Sequence, residues 1–218
     1  RASFDNKLDQ IVKQYLWKQL SYETYNNAIW FLGCSHVYGI GVNYNENAAY
    51  ILDQQTDRKV INLGLSACGP LMIEYQIDFL IEKNIIPYAI IIAWPDMSRW
   101  QSFDKNNNPI FWTIDCLSNR KIHNNHLGCK KLFPKDYENY KNLILNNEIV
   151  KVNQNTINRV RNKIQAYKHI EFTYIKQPDV DVDQLCEWID LGSDGTHCGP
   201  RTQKLIADKL WDKVRTWN

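Results

Sequence analysis

Long apolar runs, an excess of charge, internal repeats and glycine are all scarce in this 218-residue chain. The longest apolar run, Ala89 to Trp94 with its neighbours, falls far short of the roughly 20 residues a helix needs to cross a bilayer, so no membrane span is expected. Lys and Arg number 26 against 24 Asp and Glu, a net charge of +2 spread along the chain. Without a basic patch or stripe, nucleic acid is not an expected partner. No secretory leader is legible at the N-terminus, although a chain beginning at Arg1 is also what removal of one would leave. Repeats, low-complexity linkers and composition breaks are missing too. The expectation is therefore one domain over residues 1–218 with a real core. Six cysteines at irregular spacings, in a chain large enough not to need staples, point to reduced thiols and a cytoplasmic or otherwise reducing compartment.

What is present is hydrophobic periodicity that changes along the chain. Leu8, Ile11, Val12, Tyr15, Leu16 and Leu20 repeat at helical spacing. Helices are likewise predicted over 46–56, 71–82, 136–148, 157–167 and 200–216, with Pro70 and Pro200 suited to a first helical turn. Strands are predicted over 28–33, 59–63, 88–94 and 170–175, with a short fifth near 185–189. Alternation of strand and helix predicts an α/β fold with a parallel sheet covered by helices on both faces. The pattern fails over 95–135, where Trp100, Phe103, Phe111 and Trp112 are mixed with Asn, Asp and Pro. Such a stretch reads as an insertion or lid. Its aromatics would either wall a substrate pocket or form the small core that holds the insertion down.

The nine glycines are concentrated. Gly33, Gly39 and Gly41 flank Ser35; Gly64 and Gly69 follow the second strand; Gly192, Gly195 and Gly199 precede the last helix. The first two groups follow strands of a parallel sheet and so share its carboxyl edge, where open α/β sheets bind ligands. The third group can reach that edge. Tight βα and αβ turns alone would account equally for this distribution. In the third loop Asp194 and His197 stand three residues apart. A histidine that takes the proton of a serine, held by a carboxylate, makes that serine a nucleophile. Taken alone, Asp-x-x-His is as well explained by turn chemistry.

Together, the segments FLGCSHVYGIGV, NLGLSACGP, IIIAWPDMSRW and DGTHCGPRTQKLIADKL resemble, in order, four sequence blocks of the SGNH (GDSL-like) hydrolases. The resemblance runs from about Ile29 to the last helix. It implies a flavodoxin-like α/β/α sandwich with about five parallel strands, and an esterase, lipase or carbohydrate O-acetyl esterase activity. It places the nucleophile at Ser35, with Cys34 where the family has aspartate, and the pair Asp194 and His197 in the last block. For the oxyanion hole it implies the N–H groups of Ser35 and of Ala67, which stands where the family has glycine, with Gly69 as the fallback. Asp96 falls where the family supplies an asparagine donor. An ionised aspartate accepts hydrogen bonds only, and loss of one such donor typically costs about 3–4 kcal/mol of transition-state stabilisation. Ser98, Arg99 and the Trp94 indole are candidate replacements; Arg99 could instead bind an anionic substrate group or sit in a surface ion pair.

His36, Trp94, Arg99 and Trp100 are the candidate substrate-binding residues. Cys34, Cys68 and Cys198, one in each loop, read as small packing residues or redox-sensitive thiols. His123, His126 and Cys129 have the look of a partial zinc set that Asp115 or Cys116 would complete. The expected activity is a serine-dependent ester hydrolase (a carboxylesterase or carbohydrate O-acetyl esterase) needing no metal or organic cofactor and acting on a small-molecule or glycan ester. The alternatives are an O-acyltransferase on the same residues and a catalytically inactive binding module.

Overall fold

In a computed structural model, the protein is described over residues 22–105, 109–114, 117, 133–182 and 184–217. The first predicted helix, over 6–20, lies outside these residues. The strands are β1 (Ile29–Gly33), β2 (Val60–Gly64), β3 (Ala89–Trp94), β4 (Trp100–Phe103), β5 (Pro109–Trp112) and β6 (Lys168–Thr173). The helices are α1 (Ser35–Tyr38), α2 (Ala48–Gln55), α3 (Pro70–Glu82), α4 (Pro134–Leu145), α5 (Glu148–Ile164) and α6 (Pro200–Val214). β2, β1, β3 and β6 form one parallel sheet in that spatial order, with Ile29 of β1 level with Val60 of β2 and Ala89 of β3. This 2-1-3 order is that of flavodoxin-like sheets, in which the chain reverses direction across the sheet after the second strand.

Successive side chains in a strand point to opposite faces, and that alternation sorts the core into two layers. Trp30, Leu32, Ile61, Leu63, Ile90 and Ile92 face α3 and α5, meeting Ile73, Ile77, Leu80, Ile157, Val160 and Ile164. Ile29, Phe31, Val60, Ile91, Ile170 and Phe172 face α2 and α6, meeting Ala49, Leu52, Ile206, Leu210 and Val214. A sheet buried on both faces reads as a continuous apolar run; β1 and β3 are buried along their whole length.

Three differences from the sequence-based expectation have local causes. The helix predicted over 136–148 stops at Leu145 because Asn147 adopts the left-handed conformation (φ 56°), and α5 starts at once behind it. Asparagine is among the few residues that visit this region readily. In place of a fifth strand near 185–189, a single parallel bridge joins Thr173 to Gln184. The 95–135 segment contains an antiparallel hairpin, β4–β5, with Trp100 opposite Trp112. Four-residue strands are too short to display a period. Among the described residues, no helix is long and apolar enough to cross a membrane, and Cys34, Cys68, Cys186 and Cys198 are free and buried.

Candidate active site

β1 delivers Ser35 to the carboxyl edge of the sheet. A Cβ on Gly33 would lie 2.5 Å from Val37 Cγ2 and 2.9 Å from the Ala93 carbonyl, so only glycine lets the chain turn this closely over β3. Cys34 is extended, and Ser35 opens the single turn α1, which ends at Gly39 in the left-handed region. Neighbouring elements hold this turn by its carbonyls. Gln203 Nε2 of α6 donates to His36 O at 3.0 Å, and Asn47 Nδ2 donates to Val37 O at 2.9 Å.

The third loop is fixed at both ends. Upstream, the Asp190 carboxylate accepts from Arg201 N (2.8 Å), Thr202 N (2.8 Å) and Thr202 Oγ1 (2.6 Å), so it caps α6, whose own N-cap, Gly199, has no side chain to do so. At the tip, Ser193 N donates to Gly41 O at 2.8 Å. A Cβ on Gly41 would stand 2.7 Å from Asp194 Oδ1, which ties that glycine to the position of the acid.

These anchors bring Ser35, His197 and Asp194 together. Ser35 Oγ lies 2.8 Å from His197 Nε2, and His197 Nδ1 lies 2.5 Å from Asp194 Oδ2. The consistent tautomer has Nδ1–H donating to the carboxylate and Nε2 accepting from the serine hydroxyl. Thr196 Oγ1 also donates to Asp194 Oδ2 (2.7 Å), and His197 N donates to Oδ1 (3.1 Å). Burial pulls the Asp194 carboxyl upward, but the hydrogen bonds from Thr196 and His197 outweigh it and hold the group well below the usual carboxylate range. Ser35 is almost wholly buried, while Asp194 stands at the solvent edge.

His36 lies behind the pair. Its ring stacks on Tyr174 at 4.8 Å and meets Trp188 and His197 edge-on at 5.0 and 4.8 Å. Burial, followed by repulsion from His197 and Arg99, drives the imidazole down to about 3, so it is neutral wherever the protein is folded near neutral pH.

In the second loop, Ala67 adopts φ 60°, the left-handed conformation that glycine takes without cost. It is the position the sequence blocks align with a glycine. Among the described residues, neither the Ser35 nor the Ala67 N–H donates to another protein group. Gly69 is the N-cap of α3.

The structure corrects several candidates. Trp94 is buried in the sheet core and its Nε1–H donates to Glu171 Oε2 at 2.7 Å, so it neither binds substrate nor supplies an oxyanion donor. Ser98 spends both its N–H (2.7 Å) and its hydroxyl (2.5 Å) on Asp96 Oδ1, which removes it as a replacement donor. Trp100 turns away from the site and packs with Trp112 and Tyr140. Hairpin alternation explains the split among the aromatics: Trp100, Ile110 and Trp112 share one face, while Phe103 and Phe111 share the other and pack on Cys34, Leu65, Cys68 and Met72. Arg99 remains beside the site, with Nη1 donating to Cys68 O at 3.3 Å. His123, His126, Cys129, Asp115 and Cys116 lie outside the described residues, among which no group of three or more His, Cys, Asp or Glu is placed to hold a metal.

Some contributors escaped the sequence reading. Thr196 stood inside the last block, and a hydroxyl two residues after an aspartate is a recognisable turn partner. Asp190, Thr202 and Gln203 gave no signal, because their roles depend on contacts between α6 and the loops.

No family model matches the chain, and no curated protein does. Among solved structures, the chain is similar to a lipolytic protein of the G-D-S-L family from Desulfitobacterium hafniense, at 18% identity and TM-score 0.39, covering 86% of this chain and 99% of that one. It is also similar to a member of the lipolytic G-D-S-L family from Veillonella parvula, at 15% identity and TM-score 0.40, covering 85% and 96%. A third is a GDSL-like lipase from Bacteroides ovatus, at 16% identity and TM-score 0.37, covering 89% of this chain and 53% of that one. Likeness at this level carries no functional argument, and the chemistry has to be read from the three loops.

Proposed function

We propose that the protein is a serine-dependent ester hydrolase. The supporting observation is the unbroken hydrogen-bonded chain from Ser35 Oγ through His197 to Asp194, assembled from two loops that are distant in sequence. In this reading Ser35 Oγ attacks the ester carbonyl carbon and gives its proton to His197 Nε2. Asp194 keeps the imidazole in its reactive tautomer and stabilises the imidazolium. The carbonyl oxygen, now negative, is held by the N–H groups of Ser35 and Ala67. Collapse of the tetrahedral species breaks the bond to the alcohol, which leaves with the proton from His197. Water then attacks the acyl-serine, again losing its proton to His197, and the acid departs as Ser35 recovers its own. Asp96, engaged with Ser98, takes no part as a donor.

A series of 4-nitrophenyl esters of graded acyl length tests the reading. Wild type is expected to hydrolyse the short esters. Ser35→Ala and His197→Ala should each lower kcat by about 10⁴-fold or more with the fold intact, because members of such a unit fail together. Covalent labelling of Ser35 by a fluorophosphonate should follow the same order. Turnover unchanged in Ser35→Ala would refute the mechanism.

A further inference from the structure

The start of α3 meets a cluster that the ester chemistry leaves unused. Arg99 is half-buried. Its Nη1 donates to the Cys68 carbonyl at 3.3 Å, and no carboxylate among the described residues lies within ion-pair distance of it. Asp96 accepts from Ser98 and acts on Arg99 through space, without a direct bond to it. The Arg99 backbone is fixed by its N–H to Asp96 O (3.2 Å) and by Asn153 Nδ2 donating to its carbonyl (2.9 Å). Two residues on, Gln101 is 3% exposed, yet neither its Nε2 nor its Oε1 has a partner. A Cβ on Gly69 would stand 2.7 Å from Gln101 Nε2 and 3.0 Å from Arg99 O, so this amide lies against the N-cap of α3. That 13-residue helix has neither a side-chain cap nor an acidic residue in its first turn.

Each of these features leaves a donor that a bound anion would engage directly. Burying a guanidinium without a counter-ion costs free energy, as does burying an unbonded amide. A helix N-terminus presents partial positive charge. A carboxylate suits the guanidinium, the helix end and the Nε2 side of the amide: it accepts two parallel bonds from Arg and a further bond from an amide N–H, while Gln101 Oε1 is left for a donor. A single cation matches a monoanion better than a dianionic phosphate. The cluster adjoins the reacting centre, since Arg99 acts electrostatically on Cys34, Cys68 and His36, which flank Ser35 and Ala67. Cys34, Leu65, Cys68 and Met72 form the apolar packing beneath this cluster.

We propose that Arg99 and Gln101, at the N-terminus of α3, form an anion-binding subsite that selects esters carrying a carboxylate on their acyl or alcohol part. Its catalytic consequence rests on the hydrolase reading above. Kinetics on matched pairs test it: 4-nitrophenyl hydrogen succinate against neutral 4-nitrophenyl butyrate for the acyl side, and 4-acetoxybenzoate against its methyl ester for the alcohol side. Wild type is expected to favour the anion of one pair by roughly 10- to 100-fold in kcat/KM, through KM, as a charge-assisted bond supplies. Arg99→Gln should bring that ratio near one, and Arg99→Lys, the safeguard should the first variant not fold, should keep part of it. Wild type with no preference in either pair overturns the proposal. So does a preference that survives Arg99→Gln, or an equal fall of kcat on charged and neutral esters, which would make Arg99 an oxyanion donor. Should wild type turn over none of the four, the hydrolase reading fails, and calorimetric titration of Ser35→Ala with 4-nitrophenyl hydrogen succinate decides the subsite separately. Binding weakened by the same factor on adding Arg99→Gln supports it, and binding that is absent or unchanged refutes it.

Discussion

At the scale of single residues, two histidines in contact differ in their chemistry. His197 is bonded on both ring nitrogens, to Ser35 and to Asp194. His36 is enclosed by Tyr174, Trp188 and His197, and its Nδ1 meets the Cys198 thiol at 3.7 Å. Because the folded His36 has its pKa depressed to about 3, its contribution to stability is fully present above the unfolded value of about 6.5 and is lost as pH falls toward 3. Between those limits the unfolded chain binds one more proton, and stability should fall by up to about 1.4 kcal/mol per pH unit. Urea titrations of wild type at pH 7, 6 and 5 should show this slope, and His36→Phe should flatten it. An equal slope in the variant would mean that His36 protonates without cost. Ala67, at φ 60°, adopts a backbone conformation usually met by glycine, so a departure in residue type preserved a conformation.

At the scale of elements, the acid and histidine depend on a cap they do not contact. Asp190 accepts three hydrogen bonds from the first turn of α6, and its carboxyl is held low by Thr202 and Arg201 against the upward pull of burial. Asp190→Ala is expected to cost about 1–2 kcal/mol, the worth of a helix cap. It should also lower kcat, because the loop from Gly192 to Gly199 loses its footing; a melting temperature that falls while kcat holds would separate stability from positioning. The sheet strands, α3 and α6 were legible because period-2 and period-3.6 patterns persist over whole elements. Ser35, Asp194 and His197 were singled out by the sequence blocks that resemble the SGNH hydrolases, since the glycines that bracket them fit tight turns equally well. The β4–β5 hairpin, the cap at Asp190 and the unpaired Gln101 amide were not, since short strands show no period and tertiary hydrogen bonds leave no local pattern. Trp94 and Trp100 misled for the same reason: adjacency to the loop in sequence says nothing about which face a side chain takes.

At the scale of the whole molecule, the three loops meet because a parallel sheet puts the carboxyl ends of β1 and β2 on one edge, while α3 and α6 lead away from it behind the second and third loops. The α3–α5 side of this frame carries an ionic tie. Glu74 of α3, 6% exposed, accepts from Arg159 Nε (2.9 Å) and Nη2 (2.7 Å) and from Lys163 Nζ (2.8 Å) of α5, and Lys163 also bonds Asp78 at 2.9 Å. Burial raises the Glu74 carboxyl, but the bonds from Arg159 and Lys163 prevail and leave it below its ordinary value. The sign follows from linkage: this contribution is present above the unfolded glutamate value of about 4.3 and disappears as pH falls through the folded one. Glu74→Gln leaves the same shape but removes the charge that both cations face. It should destabilise the protein by about 1–3 kcal/mol near pH 7, less than for a fully enclosed pair because Arg159 and Lys163 reach solvent. The difference from wild type should shrink as pH falls below the unfolded glutamate value and the wild-type carboxyl gains its proton, and kcat below the melting range should be retained. A destabilisation that stays constant with pH would assign the loss to packing of the glutamine and not to the ionic tie.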